Sequence, residues 1–200
     1  MTADEMLRSE LIGIWKDLED IGDSPAYARQ LREQAQRRRE DFPKIGSGIR
    51  MGNILIRQAT ESDLPAIEKL MAELMEAVDD GEGFSTNMVS GNYQNLLNND
   101  SSHILVAESD GAVTGIINVA IRRTLLHPGA SGLIDELVVT ESYRGKGVGK
   151  KLIHAAVERC RELGCCEIEV STEVTNINAR KFYKSCGFEE IGVFLEKELL

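Results

Sequence analysis

The stretch that decides the fold is Leu137-Val138-Val139-Thr140-Glu141-Ser142-Tyr143-Arg144-Gly145-Lys146-Gly147-Val148-Gly149-Lys150-Lys151-Leu152. An apolar run that is typical of a buried strand passes into a loop with three alternating glycines, and the loop opens a helix. Glycine has no Cβ, so the backbone N–H groups of such a loop can approach a ligand closely. The following helix N-terminus adds unpaired donors and a positive dipole end. The stretch therefore predicts a phosphate or pyrophosphate site; the alternative is a glycine-rich turn that only starts a helix.

Two nucleotide-binding patterns do not fit this loop. A P-loop, G-x-x-x-x-G-K-[ST], needs glycine at position 144 and serine or threonine at position 151, where the chain has Arg144 and Lys151. A dinucleotide-binding fingerprint, G-x-G-x-x-G, fails because Gly145, Gly147 and Gly149 are spaced as G-x-G-x-G. The pattern R-x-x-G-x-G does fit, with arginine at position 144 and glycines at positions 147 and 149.

A second motif lies downstream, in Asn176-Ile177-Asn178-Ala179-Arg180-Lys181-Phe182-Tyr183-Lys184-Ser185-Cys186-Gly187-Phe188. It has the form N-x-x-A-x-x-x-Y-x-x-x-G-F. Together with the glycine loop and the order of strands and helices after Asn53, it resembles the GNAT (GCN5-related) acyltransferase family over about residues 53–200. Within that family, the segments 133–152 and 170–183 are most similar to the aminoalkylphosphonate N-acetyltransferases.

The periodicity after Asn53 predicts strands and helices that alternate around an antiparallel hairpin, which is a mixed α/β fold with one central sheet. The resemblance implies the GNAT acyl-CoA N-acyltransferase fold and direct acetyl transfer from acetyl-CoA to a primary amine of a small molecule, such as an aminoalkylphosphonate or an amino acid-like amine. Arg122 and Arg123 are candidates to hold an anionic group of that substrate. Peptide or protein N-acetylation and a non-catalytic acyl-CoA-binding module remain as alternatives.

The resemblance also implies where acetyl-CoA binds. The backbone of residues 137–139 is expected to pair with the pantetheine arm, which requires this strand and the strand near Glu167 to splay apart. The glycine loop is expected to hold the pyrophosphate through its N–H groups. The expected cofactor-binding residues are Leu137, Val138, Val139, Arg144, Gly145, Lys146, Gly147, Val148, Gly149, Lys150, Asn176 and Tyr183.

Two residues are expected to move protons during the transfer. Tyr183 is the candidate general acid, since a phenol can protonate the departing thiolate; the alternative is a core aromatic residue. Glu136 is the candidate base that accepts a proton from the amine. Asp135 is second, because strand alternation places the two carboxylates on opposite faces. His127, just before this strand, is a further candidate base or substrate contact.

Composition and charge exclude several other functions. The chain has 200 residues and a net charge of -10, from 33 acidic and 23 basic residues, which disfavours nucleic acid and anionic membranes as partners. No apolar run approaches the roughly 20 residues of a membrane span. The segment Met1–Glu5 lacks the features of a signal peptide, so a cytoplasmic location is expected. The four cysteines form no CxxC pair and no His/Cys pattern at zinc spacing, so no metal site is predicted.

The two ends of the chain complete the predicted organisation. Residues 1–46 are expected to form a helical N-terminal extension, and residues 53–200 the acetyltransferase domain. The first helix carries one apolar stripe, formed by Leu7, Leu11, Ile14, Leu18 and Ile21. That stripe needs a covering surface on the main domain or on a second subunit, so a homodimer is a possible assembly. From Phe188 to the C-terminus, one or two short final strands are predicted.

Overall fold

The computed structural model describes residues 48–78, 85–197 and 199. The predicted helices of the N-terminal extension lie outside the described residues. The described residues cover most of the predicted acetyltransferase domain and the five residues, 48–52, that precede it.

The described part of the chain contains one six-stranded sheet whose strands follow one another in chain order. The strands are β1 (Ile49–Met51), β2 (Ile54–Gln58), β3 (Ser102–Ser109), β4 (Ala112–Arg123), β5 (Ala130–Val139) and β6 (Cys165–Val170). Strands β1 to β5 are antiparallel, and β6 is parallel to β5. The predicted mixed sheet is confirmed.

Within the described residues, four α-helices accompany the sheet, in agreement with the predicted alternation of strands and helices. They are α1 (Leu64–Val78), α2 (Thr86–Leu97), α3 (Val148–Glu162) and α4 (Ile177–Ser185). None of them has the length and apolar character needed to cross a membrane.

The helices cover both faces of the sheet, because neighbouring strand residues point to opposite sides. Ile117 belongs to a core that contains Leu152 and Ala156 of α3, with the α4 aromatic residues packed beside it. The adjacent Ile116 belongs to a second core with Leu70 of α1 and Tyr93 of α2. Strand β5 lies between these two layers of helices and leads from there into the glycine loop.

The predicted C-terminal strands are not found. Residues 188–197 and 199 contain no strand, and Ile191, Val193 and Leu195 are almost fully exposed. The segment contacts α4 through Glu190, whose carboxylate lies 2.6 Å from Arg180 Nε and 3.1 Å from Lys184 Nζ. Alternation alone does not make a strand, because the apolar side chains also need a surface that buries them.

An ion pair joins the start of α1 to the sheet. Arg57 of β2 donates two hydrogen bonds of 2.8 Å to the Asp63 carboxylate and one of 2.9 Å to Glu108 Oε2. The Thr60 N–H also donates to Asp63 Oδ2, at 2.8 Å. The Arg57 hydrogen bonds are the main reason why the pKa of Asp63 lies below its usual value. This carboxylate therefore stabilises both the first turn and its attachment to β2.

The substitution Asp63→Asn should lower the free energy of unfolding by about 2 kcal/mol at pH 7, because it leaves the partly buried Arg57 without its main partner. The pKa of Asp63 is depressed in the folded protein, so its contribution is complete above the unfolded pKa of about 4 and disappears as pH falls through the folded pKa. Urea unfolding of wild type and variant should therefore differ less at pH 3 than at pH 7. Asp110→Asn, in the exposed β3–β4 turn, is the matched control. An equal difference at both pH values would contradict this account.

Candidate active site

Strands β5 and β6 separate halfway along β5. Their pairing runs from Ala130 opposite Cys165 to Ile134 opposite Val170. Within the part of the chain that the structure describes, strand β5 then continues to Val139 with only β4 beside it. The backbone groups of residues 135–139 that face away from β4 therefore have no strand partner among the described residues. The separation that the sequence analysis required is present, and this edge can accept an extended, amide-bearing ligand as a further strand.

The glycine loop between β5 and α3 adopts a backbone that few other residues tolerate. Gly145 and Gly147 have φ angles of 73° and 81°, in the left-handed region. A Cβ built on either residue would meet no atom within 4 Å, so conformation and open space, rather than packing, account for these two glycines. The space beside them is available to a ligand.

The first turn of α3 directs free N–H groups toward the same space. The Lys151 N–H bonds to the Gly147 carbonyl at 3.2 Å and is the first of this helix to bond back to the loop. The N–H groups of residues 148–150 precede it and have no partner within the helix. With the positive end of the helix dipole, these donors form a cradle that suits a pyrophosphate.

The cations of the loop have different surroundings. Arg144 Nε donates to the Val139 carbonyl at 3.0 Å, so its side chain folds back along the end of β5. Lys146 Nζ lies 4.9 Å from the centre of the Tyr143 ring. Lys150 is exposed on the first turn of α3. The Val139 carbonyl, an expected cofactor contact, thus already accepts one hydrogen bond, and a carbonyl oxygen has two lone pairs.

The third glycine couples the loop to α4. A Cβ on Gly149 would lie 3.1 Å from Cζ of Phe182, so a side chain at this position would require the Phe182 ring to shift by a few tenths of an ångström. Phe182 makes an edge contact with Tyr183, with ring centres 5.3 Å apart, and Tyr183 makes another with Phe188, at 5.7 Å. Burial raises the pKa of the Tyr183 phenol. The group is therefore protonated at neutral pH, as a general acid must be.

Glu136 lies next to a β-bulge in β5. Asn118 is opposite Glu136 and Val119 is opposite Ile134, which makes Asp135 the additional residue. The expected simple alternation of the two carboxylates is interrupted at this point. Burial is the main cause that raises the pKa of Glu136, and the nearby charge of Asp135 raises it further. A raised pKa makes this carboxylate a better proton acceptor near neutral pH.

Two residues that the sequence analysis missed orient this carboxylate. Asn118 Nδ2 donates a 2.8 Å hydrogen bond to Glu136 Oε2, and Ser102 Oγ donates a 3.1 Å hydrogen bond to Asn118 Oδ1. Asn118 is only 4% exposed. The signal in the sequence was a carboxamide within the apolar run of β4, since a buried polar side chain needs partners.

A third missed residue, Glu73 of α1, holds the segment that leads into the glycine loop. Its carboxylate accepts hydrogen bonds from Thr140 Oγ1 at 2.9 Å and from the Glu141 N–H at 3.2 Å. Thr140 and Glu141 lie 67 and 68 positions after Glu73 in the sequence, so local sequence patterns do not reveal this contact.

The remaining candidates occupy different positions. Asn176 is the N-cap of α4, and its Oδ1 accepts a hydrogen bond from the Ala179 N–H at 3.0 Å. Arg122 pairs with Glu169 and donates to Ser131 Oγ at 3.2 Å, while the neighbouring arginine at position 123 is exposed. His127 precedes β5, far along the strand from Glu136, and its Nδ1 lies 2.6 Å from Glu167 Oε1. The structure therefore does not bring His127 to the candidate base.

Comparison with known proteins shows the family to which the chain belongs. A profile of the acetyltransferase (GNAT) family matches residues 65–188. An aminoalkylphosphonate N-acetyltransferase of Salmonella typhimurium is 29% identical over 158 residues, which cover 77% of this chain and 92% of that protein. An aminoglycoside N(6')-acetyltransferase type 1 of Stenotrophomonas maltophilia is 29% identical over 138 residues, which cover 68% of this chain and 86% of that protein.

The solved structures agree on the fold. An aminoglycoside N-acetyltransferase in complex with CoA superposes with a TM-score of 0.64, at 24% identity, over 75% of this chain and 98% of its own. The family profile spans more than half of the chain and includes β5, the glycine loop and α4. The chain therefore belongs to the GNAT acetyltransferase family and is an acetyl-CoA-dependent N-acetyltransferase.

Proposed function

We propose that this enzyme transfers the acetyl group of acetyl-CoA directly to the primary amine of a small molecule. The observation that carries the proposal is the open length of β5, which bears Glu136 and ends at the glycine loop. Backbone groups of residues 137–139 would bind the pantetheine arm, and residues 144–150 the pyrophosphate. Asn176 would add its amide donors, because the helix cap uses only Oδ1.

Three groups would act on the reacting atoms. An alkylamine has a pKa near 10.4, so it must lose a proton before it attacks the thioester carbonyl, and Glu136 accepts that proton. The backbone N–H of Leu137 or Val138 stabilises the negative charge that develops on the carbonyl oxygen. Tyr183 protonates the thiolate sulfur as the carbon–sulfur bond breaks. The products are the N-acetylated amine, which contains the new carbon–nitrogen bond, and the free thiol of CoA.

The acceptor is proposed to be an aminoalkylphosphonate or an amino acid-like amine. Burial raises the pKa of the Asp135 carboxyl, and the nearby positive charge of Arg122 opposes part of that rise. Its guanidinium pairs with Glu169, which a substrate phosphonate or carboxylate would replace. A cationic polyamine such as an aminoglycoside is the second candidate, because Glu169 already neutralises Arg122 and leaves the two β5 carboxylates in excess.

An amine panel separates these acceptors. The rate of CoA release should be higher with aminoethylphosphonate than with ethanolamine, which lacks the anionic group, and Arg122→Ala should remove that preference. Arg123→Ala is the matched control. Faster turnover of an aminoglycoside would favour the cationic acceptor, and faster turnover of a short peptide would favour N-terminal acetylation. Absence of turnover with every amine would contradict the proposed transfer.

The variant Glu136→Gln tests the proposed base. Its kcat should fall by about 10²-fold or more, because the amide cannot accept the proton. The raised pKa of Glu136 predicts that wild-type kcat/KM falls as pH drops through that value, and this acid limb should be absent in the variant. Asp135→Asn should retain the limb. Wild-type-like kcat in Glu136→Gln would assign the base elsewhere.

The variant Tyr183→Phe removes only the phenol oxygen and keeps both ring contacts. We expect kcat to fall by about 10²-fold while the KM for acetyl-CoA changes little, because the proton is needed when the thiolate leaves. Tyr143→Phe, near the glycine loop, is the control. If Tyr183→Phe raised the KM and left kcat unchanged, the residue would be a binding contact rather than the acid.

The variant Gly147→Ala tests the pyrophosphate cradle. Alanine at a φ of 81° costs about 1–2 kcal/mol, and relief of that strain displaces the donors of the loop. Calorimetry should show that CoA affinity falls by about tenfold or more. Gly164→Ala is the matched control, since Gly164 has a φ of 76° beyond the other end of α3 and an equally open Cβ position. Equal loss of affinity in both variants would contradict a local role.

The proposal includes the predicted organisation of the chain. Residues 1–46 would form a helical extension to the acetyltransferase domain of residues 53–200, and the apolar stripe of the extension would join two copies. The four cysteines are unpaired thiols, which suits the proposed cytoplasmic location. Light scattering on a chain that lacks residues 1–46 should give the mass of a monomer and leave CoA binding intact.

A further inference from the structure

A second group of ligating side chains lies at the end of the β5–β6 pair that is remote from the glycine loop. It consists of His127, Cys166 and Glu167, whose ligand atoms all lie within 4.8 Å of one another. We propose that these three residues, here called the β6 cluster, bind a zinc ion. The proposal is independent of the acceptor and of the catalytic roles proposed above.

A β-bulge explains how two consecutive strand residues reach one site. Ala130 of β5 is opposite Cys165, and Ser131 is opposite Glu167, which leaves Cys166 as the additional residue of β6. In a regular strand, the side chains of residues 166 and 167 would point to opposite faces. A bulge redirects a side chain, and Cys166 Sγ lies 3.4 Å from the Ala130 carbonyl, on the side from which the His127 loop enters β5.

The contact between His127 and Glu167 is short but lacks a well-formed hydrogen bond. His127 Nδ1 and Glu167 Oε1 are 2.6 Å apart. The same oxygen is enclosed by protein, yet none of the described residues gives it a hydrogen bond of acceptable geometry. Two atoms with lone pairs repel each other at this distance unless a positive charge lies between them. Either a proton on the imidazole or a metal ion can supply that charge.

The donor set favours zinc over the harder cations. One imidazole nitrogen, one thiolate sulfur and one carboxylate oxygen are ligand types that zinc accepts, whereas magnesium and calcium prefer oxygen ligands alone. Neutral His127 with the two anionic ligands would match the charge of the ion. Bonds of about 2.0–2.1 Å in tetrahedral geometry separate nitrogen and oxygen by roughly 3.3 Å, so the histidine and glutamate side chains need only move slightly apart.

The surroundings suit a structural site with a water as the fourth ligand. The side chains of His127 and Glu167 are 38% and 36% exposed, which gives the ion a path from solvent. Residues 124–129 connect β4 to β5 and include Leu125 and Leu126, both almost fully exposed. An ion at the β6 cluster would tie this loop to β6. Six strand residues, or about 20 Å, separate Ala130 from Glu136, so the ion would not contact the proposed acyl transfer site.

Metal titration of the full-length chain tests the site. After treatment with a chelator, Zn²⁺ should bind at one ion per chain in equilibrium dialysis and raise Tm in proportion to the logarithm of its free concentration. Co²⁺ as a probe should produce a thiolate-to-cobalt charge-transfer absorption. All three histidines and all four cysteines of the sequence lie in the described residues, so the candidate ligands of these types are known.

The variants Cys166→Ser, His127→Ala and Glu167→Gln should each weaken Zn²⁺ binding by more than the roughly 10–100-fold that loss of an outer-shell partner costs. Cys166→Ser should also abolish the cobalt charge-transfer band, and its Tm without metal shows whether it folds. Cys186→Ser, whose cysteine lies at the end of α4, is the matched control and should bind as wild type does. Absence of stoichiometric Zn²⁺ binding, or a cobalt band that survives Cys166→Ser, would overturn the proposal.

Discussion

The candidate site depends on the one-sided pairing of β5 beyond Ile134. A strand in the middle of a sheet normally satisfies its N–H and C=O groups on both sides, and unpaired groups need another partner. Here β6 pairs as far as Val170, and, among the described residues, residues 135–139 pair with β4 alone. The backbone groups on the unpaired edge, where the proposed ligand would bind, are already held in a fixed orientation by the strand. Pre-organised donors cost no rearrangement at the moment of reaction.

The three glycines of the loop contribute to the candidate site in two physically different ways. Gly145 and Gly147 supply left-handed backbone and empty space, whereas Gly149 supplies the absence of a side chain against Phe182. The first pair shapes the candidate anion cradle, and the third lets Phe182 of α4 pack closely against α3. The proposed phosphate site and the helix that bears the proposed acid therefore both depend on this one short segment. This double use explains why the loop decides the fold and the chemistry together.

Hydrophobic periodicity predicted the alternation of strands and helices after Asn53 and the mixed sheet, because regular elements show which of their faces is apolar. The glycine loop was predictable because its signal, alternating glycines between an apolar strand and a helix, is also local in the sequence. Asn118 was missed because its partner, Glu136, is 18 residues away. The β6 cluster was missed because Cys166 lies 39 residues beyond His127 and a bulge brings it into place. The C-terminal strands were wrong because the pattern of Ile191 to Leu195 carries no information on what could cover it.

Two bulges mark the two structurally different ends of the segment in which β5 and β6 pair. Asp135 is the additional residue on β5 beside the open cleft, and Cys166 is the additional residue on β6 at the other end. Between them, residues 131–134 pair with residues 167–170 without interruption. An ion held at the β6 cluster would stabilise β6 against β5 where they pair, and would leave the far end apart. A metal ion that holds β5 and β6 together at one end is therefore compatible with the separation of the two strands at the other end, because the paired segment lies between the two bulges.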